Sequence, residues 1–167
     1  MIDELISQEH IDVIVERLLT QSRKIQAHEL KERELEYTPY CTMRKKHNTT
    51  GRLLSAFAPD RFHHEEICVT DINYGLHDKL GQPELVLDNA VVQIYSDGSD
   101  LKGKIISERC ELYNHSEESR PQFLIIVVTM NGDGVISGIK LCRPDKETKI
   151  VEVKKIYTNI VQLASAV

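Results

Sequence analysis

The chain has 167 residues, 41% of them hydrophobic and 28% charged, with a formal net charge of −5. That length suits one domain with a real core, and the composition excludes a disordered or fibrous chain. The acidic balance disfavours non-specific binding to a phosphate backbone, and aromatics are sparse with no Trp, so Ile, Val and Leu must build the core.

The first residues, Met1-Ile2-Asp3-Glu4, carry neither a basic stretch nor an apolar one, so the reading is a cytoplasmic protein without a signal peptide. Residues 3 to about 36 read as helix. Ile11, Ile14, Val15, Leu18 and Ile25 recur at the helical period, with Ser7 as N-cap and a short turn at Ile2, Leu5 and Ile6 before it. The end of this helix, His28 to Glu36, is densely charged and is expected to face solvent or a partner. Pro39 stops it, because the residue before proline is pushed out of the helical region.

Arg44-Lys45-Lys46-His47 then forms a basic cluster, and Asn48-Thr49-Thr50 can cap a short helix from Gly51 to Phe57. From residue 66 the period becomes that of strands. Ile67 to Asn73, Leu85 to Leu87 and Ala90 to Tyr95 are the expected strands. Asp97-Gly98-Ser99-Asp100 is a turn leading into a helix over 101–113, with Leu101, Ile105 and Leu112 as its core face and Ile106 and Cys110 widening it. Phe123 to Val128 is apolar on both faces and reads as a central strand. Asn131-Gly132-Asp133-Gly134 is a hairpin turn. Val135 to Cys142 and Ile150 to Tyr157 complete a three-stranded meander, and Thr158 to Val167 is read as a short docking helix.

The expected fold class is α+β: N-terminal helices and one mid-chain helix packed on one face of a mostly antiparallel sheet that ends in the meander. Residues 1–167 form a single domain in this reading, with 1–37 a mostly helical N-terminal arm and 38–167 the sheet-containing body. Cys41, Cys68, Cys110 and Cys142 are widely spaced with no CxxC pair, which predicts reduced, mostly buried thiols rather than a zinc site.

Three segments carry residue types suited to chemistry. Pro144-Asp145 is followed by Ile150-Val151-Glu152-Val153-Lys154. Glu152 and Lys154 lie two apart, so on a strand they project from one face. Asp145 and Glu152 would hold Mg²⁺ through oxygens, and Lys154 would stabilise charge developing on a phosphate. This stretch resembles the PD-(D/E)xK nuclease signature, over about a dozen residues, and the resemblance implies a divalent-metal-dependent nuclease. The interval between Asp145 and Glu152 is shorter than in that signature, and only 13 residues follow Lys154. The competing reading is a solvent-facing Glu/Lys pair on an exposed strand, where charges discourage edge pairing.

The second segment is the basic window from Arg44 to Arg61, which carries a net +4 on an acidic chain. Arg44, Lys45, Lys46, His47 and Arg52 are its candidate binding residues. Their charge, next to a helix start at Thr49-Thr50-Gly51, suits a protein surface, a nucleic-acid backbone or a phosphate. The third is Phe62-His63-His64-Glu65-Glu66, where ligand types are present but neighbouring side chains on an extended chain point apart. A polar approach to a strand explains it better than a metal.

No GxSxG, Walker loop, GxGxxG or HExxH occurs. The expectation is therefore a small interaction or regulatory protein, an adaptor or inhibitor of mobile-element origin, without a cofactor and without a membrane. Its expected partner is another protein, with nucleic acid or phosphate as the other occupants of the basic window. The alternative is the Mg²⁺-dependent nuclease. A small-ligand module, with a pocket between helix 101–113 and the sheet, is the third reading.

Overall fold

The computed structural model describes residues 1–35, 73–76, 83–98, 100–131 and 134–159. The elements in chain order are α1 (Ile2–Leu5), α2 (Gln8–Leu35), β1 (Asn73–Leu76), β2 (Pro83–Val86), β3 (Ala90–Ser96), α3 (Lys104–Tyr113), β4 (Gln122–Met130), β5 (Ile136–Pro144) and β6 (Ile150–Thr158). The expected strand at Ile67 to Ile72, the helix at Gly51 to Phe57 and the closing helix beyond Asn159 lie outside the described residues. No described helix is long and apolar enough to cross a membrane.

The fold is α+β. Six strands form one sheet in the order β1-β2-β3-β4-β5-β6. Every junction is antiparallel except β3–β4. That parallel pair needs a crossover, which α3 supplies. The meander β4–β5–β6 stands as the sequence predicts.

Helix α2 begins where expected. The Ser7 hydroxyl accepts the His10 amide at 3.2 Å, satisfying one of the donors that a helix start leaves open. Ile11, Ile14, Leu18 and Ile25 then form one buried stripe. They share a core with Ile2, Leu5 and Ile6 of the N-terminal turn and with Val92, Ile94, Leu124, Ile126, Val128, Ile139 and Leu141 of the sheet. Each such side chain contributes about 1.5–3 kcal/mol on burial.

The opposite face of the sheet holds a second core. Val91, Phe123, Ile125, Val127 and Cys142 pack there with Ile106 and Cys110 of α3. The helices therefore cover both faces, not one, and the alternation along β4 requires it: its even residues meet α2 and its odd residues meet α3. The stripe of α3 is also rotated from expectation. Ile106 and Cys110 are buried, whereas Leu112 is 59% exposed. Gly103 is not inside the helix but is its N-cap, so it imposes no interior helix penalty. The interface assigned to a ligand pocket is filled by these apolar side chains.

Asn114, at the C-terminal cap of α3, fastens this layer. Its side-chain Oδ1 accepts the Phe123 amide at 2.7 Å, and its Nδ2 donates to the carbonyls of Phe123 and Pro144 at 3.0 and 2.8 Å. One buried side chain thus satisfies backbone groups on two strands.

Cys110 and Cys142 are free and buried in the second core. Burial, with the nearby Asp145 carboxylate adding to it, pushes the Cys110 thiol from 9.0 up to about 11, and burial also pushes the Cys142 thiol up. A thiol that holds its proton more tightly when folded stabilises the fold fully below its ordinary value and loses that contribution as pH rises through the folded one. Stability is therefore expected to decline between pH 9 and about 11. Urea unfolding across that range should show a shallower decline for Cys110→Ala than for the parent chain.

Candidate functional site

Strand β6 carries the Glu152 and Lys154 pair, and what surrounds it is set by strand alternation. The odd residues Val151, Val153 and Lys155 are exposed, whereas Glu152, Lys154 and Ile156 are half-buried. The charged pair therefore faces inward and the valines face out, the reverse of the exposed charged strand weighed against the nuclease reading.

Glu152 sits opposite Arg143 of β5 in the strand register and accepts its guanidinium Nε at 3.2 Å. Both oxygens of the same carboxylate accept the backbone amide of Ile2 at 3.1 Å. Ile2 is fully buried, so the carboxylate anchors the start of α1 over the last strand. Lys154 donates to the Asp3 carboxylate at 2.6 Å. These contacts join residues about 150 positions apart in sequence.

Asp145 serves a different purpose. Its Oδ1 accepts the amides of Glu147 and Lys149 at 2.8 and 3.0 Å, while its own amide donates to the Lys149 carbonyl at 2.7 Å. This is the side-chain-to-backbone turn that Asp favours, and it closes the β5–β6 hairpin. Asp145 also lies near Cys110, in the core opposite the one that Ile2 enters. The structure thus brings Glu152 and Lys154 together against α1 and sets Asp145 in the β5–β6 turn. Among the described residues no group of three or more His, Cys, Asp or Glu is arranged to hold a metal ion.

Arg44, Lys45, Lys46, His47 and Arg52 lie outside the described residues, as do Cys41, His63, His64, Glu65, Glu66 and Cys68. The sequence reading did not single out Arg143, Asp3 or the Ile2 amide, because their role depends on which distant element meets β6. It also passed over Val151, Val153, Lys140 and Lys155. The alternation of Ile150 to Lys155 contains that signal, since one face of the strand reads valine, valine, lysine.

Those four residues define a patch. Val153 pairs with Cys142 and Lys155 with Lys140 across β5–β6, which places Val153, Lys140 and Lys155 on the α3 side of the sheet, with exposed Val151 next to them at a register shift. Val151 and Val153 are 45% and 53% exposed, and β6 ends the sheet among the described residues. Comparison with family models, curated proteins and solved structures finds no match to this chain.

Proposed function

We propose that this chain is a non-catalytic interaction protein that binds another macromolecule, a protein in the first instance, as an adaptor or inhibitor. The observation that carries the reading is the inverted β6. A strand at the edge of a sheet is guarded against unwanted pairing by charges turned outward or inward. Here it spends Glu152 and Lys154 on its own N-terminal segment and leaves two valines outward, an arrangement suited to being covered. The basic window, with Arg44, Lys45, Lys46, His47 and Arg52, supplies a second attachment region on charge alone.

The nuclease alternative asks the same carboxylate to ligand Mg²⁺ while it holds Ile2 and Arg143, which would cost it one set of bonds or the other. The test is affinity purification of the tagged chain from its native cells, beside a Val151→Ser/Val153→Ser variant and an Arg44→Glu/Lys45→Glu/Lys46→Glu variant. A protein partner recovered with the parent and lost with either variant is expected. Absence of any enriched partner, together with Mg²⁺- or Mn²⁺-dependent cleavage of DNA or RNA that Lys154→Ala abolishes, would reverse the assignment.

A further inference from the structure

We infer that the outer face of β6 receives an extended protein segment that presents two apolar side chains and then an acidic one at every second position. The inference rests on the binding-protein reading above and specifies the chemistry of the partner. Two observations on the same few residues lead to it.

The first is the valine pair. Val151 and Val153 lie on the last described strand of the sheet, more exposed than the neighbouring Ile150, which packs against the second core. An added strand alongside β6 would set its own side chains next to them on that face, because strands pair side chain by side chain at about 4.5–5.5 Å. Apolar residues on the incoming strand would then remove both valines from water.

The second is the lysine pair. Lys155 and Lys140 are strand partners and both are exposed. Like charges directly opposite each other are unfavourable in a sheet, and these two positions set two positive charges beside the valines. An acidic side chain placed two positions along the incoming strand from its apolar one would fall beside Lys155 and relieve that repulsion. The pattern of the patch, Val151-x-Val153-x-Lys155, therefore reads out as apolar, apolar, acidic on the partner. A second copy of the same strand would bring further lysines to the patch, and a nucleic-acid backbone would leave the valines uncovered. Recognition by strand addition, with alternate side chains giving specificity, is a recurring peptide-binding mode.

The test uses the full chain, labelled with ¹⁵N, and two short end-blocked peptides that differ at one position: Thr-Val-Thr-Val-Thr-Glu-Thr, which presents valine, valine and glutamate on one face, and its counterpart with lysine in place of glutamate. The glutamate peptide should shift the amides of residues 151–155 and bind, while the lysine peptide should not. Lys140→Glu/Lys155→Glu should weaken the glutamate peptide by about tenfold or more and admit the lysine peptide. Val153→Ser, at an exposed position that leaves the core intact, should weaken the glutamate peptide as well.

Binding by neither peptide, equal binding by both, or shifts mapping away from β6 would overturn the assignment. So would a concentration-dependent dimer that Val153→Ser dissolves, which would give the surface to a second copy. A nucleic-acid oligomer that displaces the glutamate peptide from the same amides would overturn it too, in favour of a phosphate backbone. If the peptides fail but affinity purification still recovers a partner that depends on the basic window, the acidic-strand assignment alone falls. If no partner is recovered either, the binding-protein reading falls with it.

Discussion

Replacing Glu152 with alanine is expected to lower the unfolding free energy by about 3 kcal/mol, the scale for breaking a largely buried ion pair. The side chains of Arg143 and Glu152 are only 15% and 29% exposed, so the guanidinium left behind is poorly hydrated. The Ile2 amide loses both of its acceptor oxygens at the same time, and an unpaired buried donor adds its own penalty. Glu152→Gln keeps a carbonyl acceptor for Ile2 but no charge for Arg143, so it should fall between the two. Lys154→Ala offers the contrast. Its partner Asp3 is well exposed, and such pairs contribute about 1 kcal/mol or less. Urea unfolding of the three variants gives the ordering. A nuclease site would give a different pattern: both residues indispensable for cleavage and neither for stability.

Gly134→Ala is expected to destabilise by a similar amount, about 3 kcal/mol, for a geometric reason. Gly134 has φ +88°, where a side chain costs about 1–2 kcal/mol. Its new Cβ would also stand 2.6 Å from Cγ2 of Ile25 and 3.0 Å from its Cβ. Ile25 is buried in the α2 stripe and cannot withdraw, so overpacking adds about 1–3 kcal/mol. The carbonyl of Gly134 also accepts the Ser22 hydroxyl at 2.8 Å, tying the β4–β5 turn to α2. Gly98→Ala is the control. It has nearly the same φ, +87°, with nothing within 4 Å, and should lose only the backbone share. Equal losses at the two positions would show that the contact with Ile25 carries no weight.

Much of the architecture was readable from periodicity. The helical spacing from Ile11 to Ile25, the Ser7 cap and the β4–β5–β6 meander all stand in the structure. Phe123 to Val128 was read correctly as a central strand, yet the same six residues contradicted the single helical layer assigned to the fold. A strand apolar on both faces needs two covers, and α2 and α3 are those covers. Leu112 misled because its apolarity fits a helical stripe through Leu101 and Ile105. The crossover from β3 to β4 instead turns Ile106 and Cys110 inward. At β6 the spacing of Glu152 and Lys154 correctly put both on one face. It could not reveal that α1, some 150 residues away, would lie on that face, since a long-range partner leaves no local trace. Asp145 is the reverse case: its turn is wholly local, closed by the side-chain-to-backbone bonds that Asp favours, yet its place in a nuclease-like string drew it toward the metal reading.

The closure of α1 and α2 over strands from the far end of the chain has a consequence for biogenesis. During translation the apolar stripe of α2 precedes Leu124, Ile126 and Leu141 by roughly a hundred residues. At synthesis rates of about 5–20 residues per second, that stripe waits on the order of 5–20 s for its cover. During that interval the apolar face of α2 has none of its sheet contacts, so the N-terminal part of the core closes only after the last strands are made.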